Sequence, residues 1–345
     1  MIYLDYNATA PLLARARAAM EPWWGVPANP SAAHRLGRDA AMAVDRARQL
    51  VADLVAWPRD GVVFTSGASE SNATVFASGR WAASAVEHPS VRAWAASVVP
   101  VDEQGVIDIA ALAELHDIDG VSVMYANNET GVIQPVAEVI ALARKRGLRV
   151  HVDASQAPGR VPLGPLAGAD FVTLASHKLG GPQGVGALCV ARMTSPAPMV
   201  RGAAQERGWR AGTHNVAGIV GFGAASVVAG AECLSPTLRD RLERGLVGLG
   251  GTVAGGGAPR LPNTSCVSFG TVLAPDLVAA LDLAGIAASA GSACASGAAR
   301  PSSVLQAMGF AGSGVRFSLG SGTTQDEIDA TLAAMARILP GFVDG

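Results

Sequence analysis

The chain has 345 residues, of which half are hydrophobic and only 16% are charged, and its formal net charge is −2 at pH 7. This length predicts about two domains with a large core, and the nearly neutral charge gives no electrostatic case for nucleic acid or an anionic membrane surface as a partner. The N-terminus lacks the basic and apolar segments of a secretory signal, and the longest uncharged stretch, 216–231, is shorter than a bilayer-spanning helix. We therefore expect a soluble cytoplasmic protein.

The first part of the chain begins with short elements and contains one long helix. Residues 1–12 are typical of a strand and a polar turn, 13–24 of a helix, and 34–56 of an amphipathic helix. A strand at 62–64 leads into the small-residue segment 65–72. Such a turn between a strand and a helix start predicts an anion site, because free amides and the helix dipole bind phosphate.

The middle of the chain alternates strands and helices. We expect these elements at 84–87, 111–115, 121–125, 135–146 and 150–152. This alternation predicts a mostly parallel sheet with helices on both faces. In such sheets, functional residues collect at the carboxyl ends of the strands. The polar candidates at those ends are Ser69, His88, Asn128, Asp153 and Lys178.

A lysine stands between two apolar runs that are typical of buried strands. The first run ends at Ser176-His177-Lys178, and the second spans 185–190 after a turn rich in glycine. Asp153 ends an earlier strand-like run. A loop lysine and a strand-end acid suit pyridoxal phosphate (PLP), which the amine binds covalently while the carboxylate pairs with the pyridine nitrogen. Each residue alone is more often a surface or capping residue; the other motifs favour the cofactor site.

The composition changes near residue 234. A charged helix at 237–246 and strand-like runs at 264–269 and 286–290 predict a smaller α+β domain. We expect residues 13–233 to form a large cofactor-binding domain. Residues 1–12 and 234–345 would then form the small domain.

The four cysteines are widely spaced, and none has metal-ligand spacing, so no metal site is predicted. Cys189 and Cys266 lie in apolar runs and are expected in the core. Cys294 lies among small residues, where it is either structural or an exposed thiol that carries a group. Arg316 lies in an apolar context, where a guanidinium needs a carboxylate from the protein or from a substrate.

Ten motifs occur along the chain: YLDYNATAP, NPSAAHRLGR, VFTSGASESN, VEHPSV, NNETGVIQP, HVDASQA, SHKLGGPQGVGAL, QERGWRAGT, GSACASG and VRFSLG. In this order they resemble the cysteine desulfurases, which are PLP enzymes of the class V aminotransferase family. The resemblance extends over nearly the whole chain. It implies an α/β fold of PLP fold type I, with a mostly parallel sheet of the seven-stranded type and a smaller α+β domain, and it implies a homodimer.

The resemblance also implies a reaction. L-Cysteine is converted to L-alanine, with Lys178 as the covalent PLP residue and base, and with His88 stacked on the ring and active in proton transfer. Cys294 accepts the sulfur as a persulfide and passes it to an acceptor, either an iron–sulfur scaffold protein or a tRNA-modifying enzyme. The alternatives are a selenocysteine lyase, another PLP-dependent C–S lyase or aminotransferase on the same scaffold, or a non-catalytic homologue. Cys294 among small residues favours the desulfurase.

The binding residues follow from the same resemblance. Asp153 pairs with the pyridine nitrogen, Gln156 bonds the ring hydroxyl, and Asn128 touches the ring or the substrate. The substrate carboxylate is held by Arg316 with Asn7. The phosphate is held by Ala68, Ser69, Ser176, His177 and, from the other subunit, Thr213.

The sequence departs from the family pattern at a few places. Ala175 stands where the family usually has Ser or Thr, and Ser176 follows it, which predicts a weaker or re-routed phosphate contact. Ala203 and Ala204 replace a glycine pair, which predicts a stiffer loop. The chain is also shorter than most members between Asn72 and His88 and near His116, and these shortened surfaces bear on partner docking.

Overall fold

The computed structural model of the chain describes residues 1–231, 234–291 and 302–343. Its strands are, in chain order, β1 (Ile2–Tyr3), β2 (Val62–Thr65), β3 (Trp81–Ser84), β4 (Ser97–Val99), β5 (Gly120–Met124), β6 (Arg149–Asp153), β7 (Phe171–Ala175), β8 (Gly186–Val190), β9 (Thr252–Val253), β10 (Thr264–Ser268), β11 (Ile286–Ala287) and β12 (Gly314–Ser318). Its helices are α1 (Ala14–Met20), α2 (Arg35–Leu54), α3 (Ala68–Phe76), α4 (Pro89–Arg92), α5 (Ile109–Ala113), α6 (Val136–Lys145), α7 (Val216–Ala231), α8 (Thr237–Gly248), α9 (Ala274–Leu283), α10 (Ser303–Ala307), α11 (Gln325–Ile338) and α12 (Pro340–Val343).

The large sheet contains seven strands in the order β2-β8-β7-β6-β5-β3-β4. Its pairings are parallel except for those of β8, which runs antiparallel to β2 and β7. Every residue of β2, β3, β5, β7 and β8 is buried. Strands that are buried on both faces belong to a sheet covered by helices on both sides. The structure therefore confirms the predicted α/β fold with a mostly parallel sheet.

Two long helices pack closely over one face of this sheet. The apolar residues of α2 recur at helical spacing, and Ala40, Val44 and Val51 are buried. The apolar helix α7 packs against α1 and α2. A Cβ atom at Gly223 would lie 2.8 Å from the Cα of Ala47, so the close approach of α7 to α2 requires glycine there. The expected buried helix at 216–231 is confirmed.

A second region is built from the C-terminal part of the chain and the N-terminal strand. It contains the sheet β12-β10-β9, which is antiparallel, and the parallel pair β1-β11. Its core includes Leu4, Leu242, Phe317 and Met335, all of which are fully buried. Leu4 joins this core because β1 pairs with β11. The predicted division into a large domain, 13–233, and a small domain, 1–12 with 234–345, stays a prediction.

Some elements differ from the sequence-based expectations. The strand expected at 84–87 is β3, which lies three residues earlier, at Trp81–Ser84. The run expected at 286–290 is a strand only over β11, and Ser289 forms an isolated bridge with Arg316. Among the described residues, no helix is both long and apolar enough to cross a membrane.

Candidate active site

A cavity of about 660 Å³ lies where β5, β6 and β7 end. Its lining brings together predicted residues from distant parts of the sequence. These are Asn7, Ala68, Ser69, His88, Asn128, Asp153, Gln156, His177, Lys178 and Arg316. The parallel strands achieve this because their carboxyl ends share one edge of the sheet.

Two of the predicted residues that the structure describes, Ser176 and Thr213, are not in this lining. Ser176 is fully buried, and its Oγ faces Gly181, while Ala175 lines the cavity in its place. Thr213 is exposed and does not line the cavity of its own chain. Cys294 lies outside the described residues.

Lys178 ends a short helical turn that directly follows β7. Its Nζ donates to the backbone carbonyl oxygens of Asn7 and Ala8. Burial, with the nearby cations Arg316 and Arg160, lowers the pKa of Lys178 to about 8. The amine is therefore far more nucleophilic near neutral pH than that of an exposed lysine.

Asp153 is the last residue of β6 and is buried. Its Oδ2 accepts a hydrogen bond from Nδ2 of Asn72 at 2.9 Å, and its Oδ1 accepts one from the amide of Ser155 at 3.0 Å. A carboxylate held at both oxygens keeps a fixed orientation at the cavity wall. This suits a residue that must pair with a ring nitrogen.

His88 immediately precedes α4 and reaches the cavity from the side of α3. Its Nδ1 accepts a hydrogen bond from the amide of Ser90 at 3.1 Å. Burial lowers the pKa of His88, the charge of Asp153 opposes this shift, and Lys178 adds to it. The ring is therefore neutral around pH 7.

The turn between β2 and α3 forms one wall of the cavity. Helix α3 begins at Ala68, and no side chain caps its first turn, so its amides remain available to an anion. The Glu70 carboxylate accepts hydrogen bonds from the amide of Ser66 at 2.8 Å and from Nε of Arg210 at 2.9 Å. These bonds fix the turn and leave the helix N-terminus facing the cavity.

Arg316 lies on β12, and its carboxylate partner within the protein is Asp5. Its Nη2 donates to Oδ1 of Asp5 at 2.6 Å, and its Nη1 donates to the carbonyl oxygen of Asn128 at 3.0 Å. The Asn7 amide donates its two hydrogens to the Asn128 carbonyl oxygen and to Oγ1 of Thr264. Asn7 therefore has no amide hydrogen left for a substrate carboxylate.

The remaining polar atoms of the site fit PLP. Gln156 donates from Nε2 to the carbonyl oxygen of Asn7 at 3.0 Å, and its Oε1 accepts from Arg160. One Nε2 hydrogen remains for a ring hydroxyl. Within the described part of the chain, Nδ1 of His177 and Oγ of Ser155 are buried without partners. A ligand that carries a phosphate and a hydroxyl would satisfy such atoms.

Several residues that shape the site were not predicted from the sequence. Asn72 belongs to a recognised motif, but the motif did not indicate that its amide meets Asp153. Arg160 is buried, and this burial, together with repulsion from Arg316, lowers its pKa to about 9. Ser90 bonds His88. A signal was present for Arg160, because an arginine in an apolar segment needs partners; none marked Ser90.

Comparison with known proteins gives one consistent result. The Aminotransferase class-V family model matches residues 2–331. A cysteine desulfurase of Cereibacter sphaeroides is 40% identical, with 99% of this chain and 96% of the relative covered. The cysteine desulfurase NifS of Azotobacter vinelandii is 37% identical, with coverages of 98% and 92%.

A solved structure agrees with these matches. The NifS-like protein from Rickettsia africae superposes with a TM-score of 0.92 at 31% identity, with 99% of each chain covered. The chain therefore belongs to the class-V aminotransferase family, whose members of this fold are PLP-dependent enzymes. Within that family it belongs to the cysteine desulfurases.

Proposed function

We propose that the protein converts L-cysteine to L-alanine and holds the released sulfur as a persulfide on Cys294. One observation carries this proposal: a single cavity gathers Lys178, Asp153, His88 and Arg316 beside a helix N-terminus that can bind phosphate. The names of the relatives support cysteine as the substrate. We further propose that the enzyme is a cytoplasmic homodimer. In each subunit, residues 13–233 would form the large domain, and residues 1–12 and 234–345 would form the small domain.

When bound, PLP supplies a ring that accepts the electron pair released at the Cα of an amino acid. Lys178 would hold the cofactor covalently through its Nζ, and the same amine, when free, would take the Cα proton of the substrate. Asp153 presents a carboxylate to the pyridine nitrogen. Gln156 offers its free Nε2 hydrogen to the ring hydroxyl.

The two ends of the site separate the phosphate from the substrate. The amides of Ala68 and Ser69 and the ring of His177 hold the phosphate, and Thr213 of a second copy completes this end. At the other end, Arg316 holds the substrate carboxylate beside Asn128. Asn7 shapes this end through its backbone carbonyl, which bonds Lys178 and Gln156.

Cys294 accepts the sulfur of the substrate. Its thiolate attacks the sulfur of the substrate, so that an S–S bond forms as the Cβ–S bond breaks. The electron pair of the broken bond stays on the substrate side, and protonation there completes alanine. The persulfide then passes to an acceptor, either an iron–sulfur scaffold protein or a tRNA-modifying enzyme; relatives named NifS and IscS support the former.

A single-turnover reaction with L-cysteine tests this proposal. The purified holoenzyme should release alanine and carry a protein-bound persulfide, and Cys294→Ala should lose the persulfide. A matched control is Cys189→Ala, because Cys189 is buried in β8 and burial raises its pKa to about 12. If wild type and Cys294→Ala release sulfide equally and no persulfide forms, the protein is a lyase and Cys294 is structural.

A further inference from the structure

A chain of hydrogen bonds links Asp153 to His88 through two residues that have no role in the reaction described above. Asn72 is fully buried on α3, and its Nδ2 donates to Oδ2 of Asp153 at 2.9 Å and to Oγ of Ser90 at 3.0 Å. The Oγ of Ser90 lies 2.8 Å from Nδ1 of His88. The amide of Ser90 donates to the same ring nitrogen at 3.1 Å.

The donor and acceptor of each of these hydrogen bonds can be assigned from the chemistry of the groups. A carboxylate oxygen only accepts, so the Asn72 atom beside Asp153 is the amide nitrogen. Its second hydrogen goes to Oγ of Ser90, which leaves the hydroxyl hydrogen of Ser90 for Nδ1 of His88. The backbone amide of Ser90 can only donate, and it meets Nδ1 as well. Nδ1 is therefore an acceptor, and the proton of the neutral ring is on Nε2.

The other ring nitrogen is the one available to a ligand. His88 lines the cavity, and within the described residues its Nε2 has no hydrogen-bond partner and is not fully buried. We propose that Asn72 and Ser90 are positioning residues that hold His88 as the Nε2–H tautomer, so that the neutral ring donates a hydrogen bond into the cavity. This inference rests on the proposed function for its acceptor, which is the sulfur of the substrate: the N–H of the ring donates a hydrogen bond to this sulfur.

The groups around His88 agree with a neutral ring. Lys178 and Asp153 face it from other elements, and Glu87 and Arg92 flank it in its own segment. Protonation would place a hydrogen on Nδ1, where the amide hydrogen of Ser90 already points. The cation is therefore opposed by geometry as well as by burial.

The tautomer can be measured without turnover. ¹⁵N NMR spectra of the histidine-labelled holoenzyme at neutral pH should show an acceptor-type resonance for Nδ1 of His88 and an N–H resonance for Nε2. A difference spectrum against His88→Gln assigns these signals. If the Nδ1–H tautomer or the cation is the main form, the inference is wrong, whatever the cysteine assay shows; conversely, a failed cysteine assay would leave this result standing.

Two variants test the positioning role. Ser90→Ala keeps the backbone amide but removes one of the two donors to Nδ1, so the Nδ1 resonance should shift and the pKa of His88 should rise by about half a unit. Ser90→Thr restores a hydroxyl and should restore both values. His151, whose Nδ1 lies 2.8 Å from Oγ of Ser122, is an internal control that should not change. An unchanged resonance and pKa of His88 in Ser90→Ala would remove Ser90 from this role.

Discussion

The amine of Lys178 lies among four charged groups that act in opposite directions. Arg316 and Arg160 add to the effect of burial in lowering its pKa, Asp153 and Asp5 oppose it, and the result is a pKa of about 8. Roughly a tenth of such amines are neutral at pH 7, against less than about a thousandth for an ordinary lysine. The protein thus prepares this amine to attack an aldehyde near neutral pH.

This predicts how the apoenzyme takes up its cofactor. The rate of covalent attachment of PLP, followed by absorbance, should rise with pH, reach half of its maximum near pH 8, where half of the Lys178 amines are neutral, and level off about one pH unit higher. Lys178→Ala should show no covalent attachment at any pH. A rate that keeps rising to the pKa of an ordinary lysine would contradict the lowered pKa.

At the residue scale, sequence patterns predicted which groups meet but not how they are oriented. Asp153 and Lys178 were found because each follows an apolar strand, and such strands end at one edge of the sheet. The bond from Asn72 to Asp153 joins residues 81 positions apart, so no local pattern contains it. Asn7 lines the cavity, but the partners of its side chain come from residues far along the chain.

At the scale of elements, a buried ion pair ties the turn Gln205–Gly208 to α2 and β2. Glu206 accepts two hydrogen bonds from Arg48, at 2.6 and 2.7 Å, one from His214 at 2.7 Å, and one from the amide of Phe64 at 2.9 Å. Glu206 and Arg207 have φ angles of 44° and 58°, in the left-handed region that costs free energy for residues other than glycine. The ion pair offsets this cost and fixes the segment that leads to Thr213.

We expect Glu206→Gln to destabilise the holoenzyme by about 3 kcal/mol or more, because it leaves Arg48 buried without a full counter-charge. The Tm from differential scanning fluorimetry should fall by several degrees. Asp329→Asn is the matched control, since its ion pair with Arg241 is exposed, and the Tm should not change. If Glu206→Gln had the same Tm as the wild type, the stability of the turn would not depend on this ion pair.

The same variant has a defined pH dependence. Burial raises the pKa of Glu206, but hydrogen bonds from His214 and Arg48 outweigh it and bring the pKa down from 4.5 to about 2. A lowered carboxyl pKa stabilises the fold above the unfolded value, so the contribution is complete above pH 4.5 and is lost as the pH falls toward 2. The Tm difference between wild type and Glu206→Gln should therefore narrow in acid.

The sequence predicted elements more reliably than their contacts. The helix α2 and the buried helix α7 were predicted because apolar residues recur at helical spacing or fill a whole segment. Strand β3 was predicted three residues too far along the sequence, because Trp81-Ala82-Ala83 contains no β-branched residue. Its position is set by its pairing with β4 and β5. The bond between Arg48 and Glu206 spans 158 positions and has no sequence signal.

At the scale of the whole molecule, the position of Thr213 bears on how many chains make one site. It is exposed on its own chain and does not line that chain's cavity, although the segment that carries it is anchored by Glu206. An exposed Thr213 hydroxyl that is held in place is expected if it contacts the phosphate in the site of a second copy of the chain. A closed homodimer would use this contact twice, once in each direction.

Mixed dimers test whether Thr213 serves the active site of its own chain or that of the second chain. Lys178→Ala and Thr213→Asp should each be inactive alone, the first without its amine and the second because an added carboxylate repels phosphate. Random mixing of the two should restore activity to about a quarter of the wild-type sites, since half of the dimers are mixed and each then has one intact site. If Thr213 served its own chain, every site in the mixture would lack one of the two residues and no activity would return. Activity of Thr213→Asp alone would remove Thr213 from the phosphate site altogether.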